Sequence, residues 1–414
     1  MTDTVTKTET FHIKARIEDL IPLITQGGQQ ASSQQAHPVY ECVKLTTCAD
    51  APKVLRCEST DLEVAHIVER GFDDIEILGN GSLCVSKKEL LLLLRSTKKG
   101  QCELRAVIHD GEASRDIVLE MDGGEFTIQG CFVADFPELP QVTEELTDAA
   151  IMVPLDQFFQ GVRRTEFSAA RERMRYALNG ILVTVEGRSG PPKGKSKKRE
   201  ELDPQALFVS TDGRRLSVVE VGHELTVSGD VKGIIPTLAM TNAMKWIPKK
   251  KGQPDLLSGL EAVRLAFGNN HVSISFGDFE IVSRLVEGSF PSYKDVIPQD
   301  RPVKLLFDKG ELQKALYQAS LCSSREALAV RMDIDTGTRR VKVSSRSAEK
   351  SFKREVKAHI EGEDAAIAFN PGFLLDALDV HDGGSVQLEA AGTASPCVMV
   401  YESWTHVVMP VSLE

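Results

Sequence analysis

Apolar residues recur three and four positions apart in six stretches of this chain, and between those stretches they tend to alternate with polar ones. The first spacing puts apolar side chains on one face of a helix, the second on one face of a strand. Helices are predicted in "IKARIEDLIPLI", "VSKKELLLLLRS", "VPLDQFFQGVRR", "IPTLAMTNAMKWI", "FDKGELQKALYQAS" and "FNPGFLLDALDV", with Ser86, Pro236 and Asn370 suited to the starts of three of them. Alternation such as that in "HVSISFGDFEIVSRLV" predicts half-buried antiparallel strands. Helices on one face of antiparallel sheet make an α+β fold, with two helices to each unit.

The same series runs three times along the chain. "TDLEVAH" starts at Thr60 and "TDGRRLSV" at Thr211, while the Phe-Pro pairs of "ADFPELPQV" and "GSFPSYKDVIP" fall at Phe136 and Phe290. The two offsets are 151 and 154 residues. Part of each is an insertion, "GRSGPPKGKSKKREELDPQ" from Gly187 to Gln205, whose Gly, Pro and Lys content is that of a solvated loop. Without its 19 residues the repeat is near 132, so three units and this loop fill almost all of the 414 residues. The expected domains are 1–141, 142–299 carrying the loop 187–205, and 300–414.

Composition narrows the class. With 42% hydrophobic and 26% charged residues the chain is able to bury several cores. No stretch approaches the roughly 18 apolar residues of a membrane span, and "MTDTVTKTET" has no basic segment followed by an apolar one, so a cytoplasmic location is expected. The eight cysteines, at 42, 48, 57, 84, 102, 131, 322 and 397, include no CxxC pair and read as buried free thiols.

Catalytic patterns fail on spacing. Gly190 to Gly194 leaves three residues before the Lys-Ser where a phosphate-binding loop needs four, and no apolar helix follows. The nine histidines are dispersed without an HxxxH or HExxH pair, and no GxSxG elbow is present. No catalytic residue, metal or cofactor is expected. The end of the chain, "SWTHVVMPVSLE", is instead conspicuous for its apolar Val407, Val408, Met409, Pro410, Val411 and Leu413. A terminus that packs on nothing has no use for such side chains.

"FSAARERMRYALNGILV", "VSTDGRRLSVVEV", "VEGSFPSYKDVIP", "FNPGFLLDALDV" and "HVVMPVSL" resemble, in order and spacing, segments of the bacterial DNA polymerase III beta subunits, the sliding clamps. The resemblance spans nearly the whole chain, is strongest from about Asp148 and is weakest across the first 120 residues. It implies a non-catalytic processivity factor with three similar domains per protomer. Two protomers would join head to tail in a closed ring around duplex DNA, a homodimer in which Phe126 and Ile128 meet Leu321 and Cys322 of the partner subunit. It also implies a hydrophobic cleft where the replicative polymerase, clamp loader and repair proteins insert linear peptides. Carried over position by position, the cleft comprises Arg175, Leu178, Thr211, Gly213, Arg215, Leu216, Pro291, Val296, Phe373, Val407, Met409, Pro410 and Val411. Val408 and Leu413 alternate with these and are free to pack inward. Two positions depart from the family: Asp295 stands where a basic residue is common, and Phe373 lacks a tyrosine hydroxyl.

A net charge of −11 sits poorly with DNA until its distribution is considered. The segments 86–99, 154–175, 236–252 and 308–331 carry +4, +2, +4 and +1, which leaves −22 on the remainder. Helices lining a ring would then be positive and the outer sheet negative. Lys87, Lys88, Arg95, Arg163, Arg164, Arg171, Arg173 and Lys245 are the expected phosphate contacts, independent of base sequence and sensitive to salt. Gln34 replaces a basic residue common in the family, and "FNPGFLLDALDVHD" is acidic, so DNA contact should weaken in the third domain. Those departures keep open an alternative: a clamp-like paralogue that binds proteins without loading on DNA.

Overall fold

Six times among the described residues the chain passes from a strand into a helix, twice in each repeat. The computed structural model describes residues 9–31, 37–97, 99–109, 112–140, 142, 147–172, 176–189, 201–221, 225–246, 260–323, 328–392 and 395–411. Its six α-helices among these are α1 (Ile17–Gly27), α2 (Lys87–Leu94), α3 (Leu155–Arg163), α4 (Thr237–Lys245), α5 (Lys309–Ser320) and α6 (Pro371–Val380). Side chains capture the free N–H groups at three of the starts. Ser86 Oγ accepts from the Glu89 amide at 3.4 Å, Asp308 Oδ1 from Glu311 at 2.9 Å and Asn370 Oδ1 from Gly372 at 2.9 Å.

The first helix begins four residues later than the sequence pattern predicts. Ile13 to Arg16 belong to a strand, Glu9–Arg16, in which Phe11, Ile13 and Ala15 are buried alternately. That strand is paired on both sides, with Glu76–Gly79 and Gln101–His109, and ladder pairing overrode a local helical spacing. The leucine run behaves as an amphipathic helix: Leu90, Leu91 and Leu94 are buried while Leu92 is exposed.

The chain divides into two compact units, residues 1–150 with 245–284, and residues 151–244 with 285–414. The middle repeat is thus shared between them. Unit 1 contains a five-stranded sheet in the order Glu76–Gly79, Glu9–Arg16, Gln101–His109, Glu112–Met121, Gly124–Gln129. It also contains the run Ala262–Phe267, His271–Phe276, Phe279–Arg284, Val64–Gly71, Ala51–Thr60, Cys42–Cys48, Ser82–Ser86. Unit 2 is built on one twelve-stranded sheet. Its order is Lys232–Pro236, Gly180–Ser189, Glu201–Thr211, Arg215–Val221, Trp404–Val408, Cys397–Tyr401, Ser385–Ala390, Val303–Asp308, Ser351–Glu361, Arg340–Arg346, Val330–Asp335, Ala365–Phe369. In each unit a strand that ends one repeat is laid against a strand of the repeat before it: Phe279–Arg284 on Val64–Gly71, and Trp404–Val408 on Arg215–Val221.

The insertion is not loop from its first residue. Glu186 pairs with Gln205, Arg188 with Leu202 and Ser189 with Glu201, so both ends of the segment 187–205 continue the ladder; residues 190–200 lie outside the described residues. Gln205 is buried and donates to Glu220 at 2.6 Å. No helix among the described residues is long and apolar enough to cross a membrane.

Core packing is close enough to decide the sign of a substitution. Phe158 and Phe208 meet edge to face at 6.1 Å in unit 2, and a Cβ at Gly161 of α3 would lie 2.7 Å from the Phe208 ring. Alanine ordinarily improves a helix by about 0.5–1 kcal/mol over glycine. Overpacking a rigid core costs about 1–3 kcal/mol. Gly161→Ala is therefore expected to destabilise unit 2, seen as a lower urea midpoint; an equal or higher midpoint would show that the ring yields freely.

Candidate functional site

The site grows from the three residues, Asp212, Gly213 and Arg214, that join Glu201–Thr211 to Arg215–Val221. Asp212 Oδ1 accepts from the amides of Arg214 at 2.9 Å and Arg215 at 3.0 Å, while Thr211 Oγ1 donates to the Arg215 carbonyl at 2.6 Å and accepts from the Gly213 amide at 3.0 Å. Short polar side chains thereby hold their own backbone in a turn. Gly213 takes φ +84°, a left-handed conformation open to glycine at no steric cost. The Met409 amide donates to the Arg214 carbonyl at 2.9 Å, which fixes the end of the chain beside this turn.

Apolar side chains supply the floor. Leu216 lies opposite Val407 in the ladder, and both belong to a buried cluster with Leu207, Val209, Val218 and Val398. Phe290, Tyr293 and Ile297 pack on the same cluster from a separate stretch. Between them opens a cleft of about 190 Å³, lined by Leu178, Thr211, Gly213, Arg215, Leu216, Pro291, Ser292, Tyr293, Val296, Val407 and Met409. Val296 and Met409 are exposed at its rim, 40% and 36% respectively.

Nine of the thirteen positions expected from sequence converge here. Phe373 flanks the cleft without lining it, its ring 4.6 Å from the Arg215 guanidinium carbon. Pro410 and Val411 lead away, the Val411 amide donating to the Ala368 carbonyl at 2.8 Å, and Val408 is fully buried. Arg175 and Leu413 lie outside the described residues. Sequence reasoning missed Ser292 and Tyr293, although they stand between Pro291 and Val296 in one short segment.

Arg215 is the cleft's charged group, only 9% exposed. Its Nε lies 3.1 Å from Asp212 Oδ2 and its Nη1 2.6 Å from Asp376 Oδ2 on α6, with Phe167 stacked at 5.5 Å. Two carboxylates and two rings compensate a cation whose burial would otherwise be costly. At the rim, Glu186 Oε1 accepts from the Tyr293 hydroxyl at 3.1 Å and Glu186 Oε2 from Lys294 Nζ at 2.6 Å, joining the stem of the inserted hairpin to the cleft. Burial first, and Glu186 next, push the Tyr293 phenol up, so it stays a neutral donor.

Unit 1 contains a turn with the same hydrogen bonds. Thr60 Oγ1 donates to the Val64 carbonyl and accepts from the Leu62 amide, Asp61 Oδ1 accepts from Glu63 and Val64, and the Arg284 amide donates to the Glu63 carbonyl. Leu62 occupies the position of Gly213 at φ +78°, and Leu139 and Val142 pack over Ala65, Ile67 and Val282. The offset of 154 residues maps Leu139 onto Tyr293 and Val142 onto Val296.

The expected DNA contacts have mixed surroundings. Lys88, Arg95, Arg171 and Lys245 are exposed, and Arg95 donates to Thr25 at 3.3 Å. Lys87 is half-buried and its pKa is lowered by that burial. Arg163 is bound to Asp382 at 3.0 Å. Arg164 has to be withdrawn as a surface cation: its side chain is 4% exposed, paired with Glu402 at 3.2 Å and Asp382 at 3.4 Å, and lies over the rings of Tyr401 and Trp404. Adjacent residues on a helix cannot share a face, and here the second of the two turns inward. Arg173 and Gln34 lie outside the described residues.

Of the positions expected between protomers, Leu321 is 58% exposed and Phe126 and Cys322 are half-buried. Ile128, at 7%, sits opposite Ile117 and is largely enclosed by its own unit, so it has little surface left for a partner. Gly124–Gln129, which carries Phe126 and Ile128, is an edge strand of its sheet. Among the described residues no group of three or more His, Cys, Asp or Glu is arranged to hold a metal ion.

His406 lies beneath the site, fully buried against Phe167 at 5.4 Å and Trp404 at 5.9 Å. Burial, then the Arg215 cation, lower its pKa to about 3. The unfolded chain takes up this proton near the ordinary histidine value of about 6.5. Stability is therefore complete above that value and falls as pH drops from about 6.5 towards 3. His406→Phe, which keeps a ring in place, is expected to flatten the acid loss of the unit 2 transition between pH 7 and pH 4 in thermal scans; an unchanged slope would remove His406 as its source.

The sequence pattern of the DNA polymerase III beta subunit central domain matches residues 152–292, and that of its C-terminal domain matches residues 294–412. The beta sliding clamp of Pseudomonas putida is 23% identical over 362 residues, 87% of this chain and 89% of that protein. That of Staphylococcus aureus is 27% identical over 292 residues, 69% and 70% of the two chains. Among solved structures, the Streptococcus pyogenes DNA polymerase beta subunit superposes with a TM-score of 0.82 at 16% identity, covering 97% of this chain and 99% of that one. The Pseudomonas aeruginosa sliding clamp, bound to griselimycin, gives 0.81 at 21% identity, with 98% and 100% covered.

Proposed function

Because this chain belongs to the DNA polymerase III beta subunit family, the sliding clamps, we propose that it acts as a clamp: two copies close head to tail around duplex DNA and hold a polymerase through a linear peptide seated in the cleft. The observation that carries the reading is the convergence of nine expected wall residues, from four separate stretches of chain, on one apolar opening. A flexible methionine and a half-buried tyrosine at its rim suit a surface that accepts several related peptides. Ring closure would use the edge strand Gly124–Gln129 and the exposed Leu321, with DNA held by Lys88, Arg95, Arg171 and Lys245 through non-specific phosphate contacts in the cytoplasm. The protein would serve replication without catalysing a step, and the clamp loader and repair proteins would share the same cleft.

A second reading has an observation of its own. Arg163 and Arg164 are neutralised by Asp382 and Glu402, and α6 carries Asp376 and Asp379. A paralogue that binds peptides without loading on DNA would have this charge pattern.

Loading onto nicked circular DNA separates the two. A clamp is retained on the circle and released when the circle is cut; a paralogue never loads, and retention after linearisation would mean ordinary DNA binding instead of encirclement.

The cleft is tested by two substitutions. Met409→Ala trims a partly exposed wall residue and should weaken a polymerase-derived peptide by about 1–3 kcal/mol, the range of an anchor contact. The fold should lose less than the roughly 2–5 kcal/mol of a fully buried methionine. Gly213→Leu should abolish peptide binding while folding, because Leu62 already occupies the same backbone conformation. Unchanged titrations with both variants would show that the terminal strand serves the core alone.

A further inference from the structure

Three of the eight cysteines lie close together in unit 1, away from the site just described. Cys42, Cys84 and Cys131 belong to one apolar cluster in unit 1, together with Val39 and Phe136. Cys42 Sγ and Cys131 Sγ are 3.6 Å apart although 89 residues separate them in sequence, and the Cys84 thiol is within hydrogen-bond reach of Cys42. The backbone brings them together: where Ser82–Ser86 pairs with Cys42–Cys48, Cys84 lies opposite Lys44 and Cys42 opposite Ser86, which puts the two cysteines diagonally across one ladder, and the Cys131 amide donates to the Cys84 carbonyl at 2.9 Å. Cys42 and Cys84 are 4% and 1% exposed, whereas Cys131 is partly open to solvent.

We propose that Cys42 and Cys131 form an oxidisable thiol pair, a modification site that a peroxide converts to an intramolecular disulfide. The two sulfur atoms are in van der Waals contact and need to approach by roughly 1.5 Å to reach bonding distance, a small rotation of side chains already on adjoining backbone. Cys131, the accessible partner, loses its proton and attacks a peroxide oxygen; the O–O bond breaks, leaving the Cys131 sulfenic acid and water. The Cys42 sulfur then displaces the sulfenic hydroxyl, which departs as a second water with the Cys42 proton, and the S–S bond forms. One equivalent of peroxide is reduced by two electrons and the two thiols are oxidised by two.

The environment sets the pace of this chemistry. Burial first, and Cys42 next, push the Cys131 thiol up to about 11, so thiolate is scarce at neutral pH. The pair is accordingly a slow responder that records sustained oxidation. Cys131 also stands two residues beyond the edge strand Gly124–Gln129. On the clamp reading, the bond would fasten the end of a ring-closing strand to Cys42 at the head of the neighbouring sheet.

The test uses the full-length reduced protein, hydrogen peroxide, alkylation of remaining thiols, and peptide mass spectrometry. The expected product joins the peptides of Cys42 and Cys131, is two hydrogens lighter than their sum, runs as a single chain on a non-reducing gel and reverts with dithiothreitol. Its initial rate should rise about 100-fold between pH 7 and pH 9, following the Cys131 thiolate. Cys131→Ser should eliminate the product, while Cys48→Ser, which removes the exposed thiol, should leave it unchanged. Recovery of both Cys42 and Cys131 as alkylated thiols after Cys48 has been oxidised would overturn the proposal. So would a bond between two chains, a Cys84–Cys131 product in place of the expected one, or a rate independent of pH.

Discussion

The pairing of the last strand, Trp404–Val408, with Arg215–Val221 is the contact on which unit 2 depends. Its ladder runs from Arg215 opposite Val408 to Val219 opposite Trp404, and each partner brings a different repeat to the sheet. Trp404, fully buried, donates from Nε1 to Ser217 Oγ at 2.7 Å, and Ser217 Oγ in turn donates to the Arg164 carbonyl. Strand, indole and helix end are locked into one polar chain inside an apolar core, where an unmade hydrogen bond is costly. Register follows from this. A slip by one residue would turn Val407 out and His406 towards the cleft, because strand side chains alternate between faces.

Much of this was legible in the chain, for physical reasons that differ by element. The helices showed themselves through spacing and through Ser86 and Asn370 at their starts, and the repeats through offsets that place Thr60 and Leu139 where Thr211 and Tyr293 recur. Cleft residues could be assigned because they sit in short contiguous segments, "TDGRRL", "FPSYKDV" and "VVMPV", that resemble sliding-clamp segments in order and spacing. What escaped was set by distant partners. Ile13 to Arg16 carry a helical spacing but are captured by strands 60 to 90 residues away. Arg163 and Arg164 are alike in sequence, and only the position of Glu402 and Tyr401 buries one of them.

Charge is used in this molecule mainly to hold parts together. Arg215 bridges the turn at Asp212 to α6 through Asp376, and Arg164 ties α3 to the turn before the last strand through Glu402. Both guanidinium groups are buried and stacked on rings, which makes them joints more than binding groups. The exposed cations left over, such as Lys88 and Arg95, are fewer than the sequence count suggests. Net basicity of a segment therefore overstates what it offers to a polyanion.

The paired turns at Leu62 and Gly213 bear on how such a protein changes over generations. A leucine held at positive φ carries about 1–2 kcal/mol of backbone strain that a glycine avoids. Replacing Leu62 by glycine relaxes the backbone, and replacing Gly213 by leucine strains it. Backbone strain thus acts in the same direction at both turns and favours glycine at each. A leucine at position 62 persists only while its half-exposed side chain contributes enough elsewhere to offset the strain it retains.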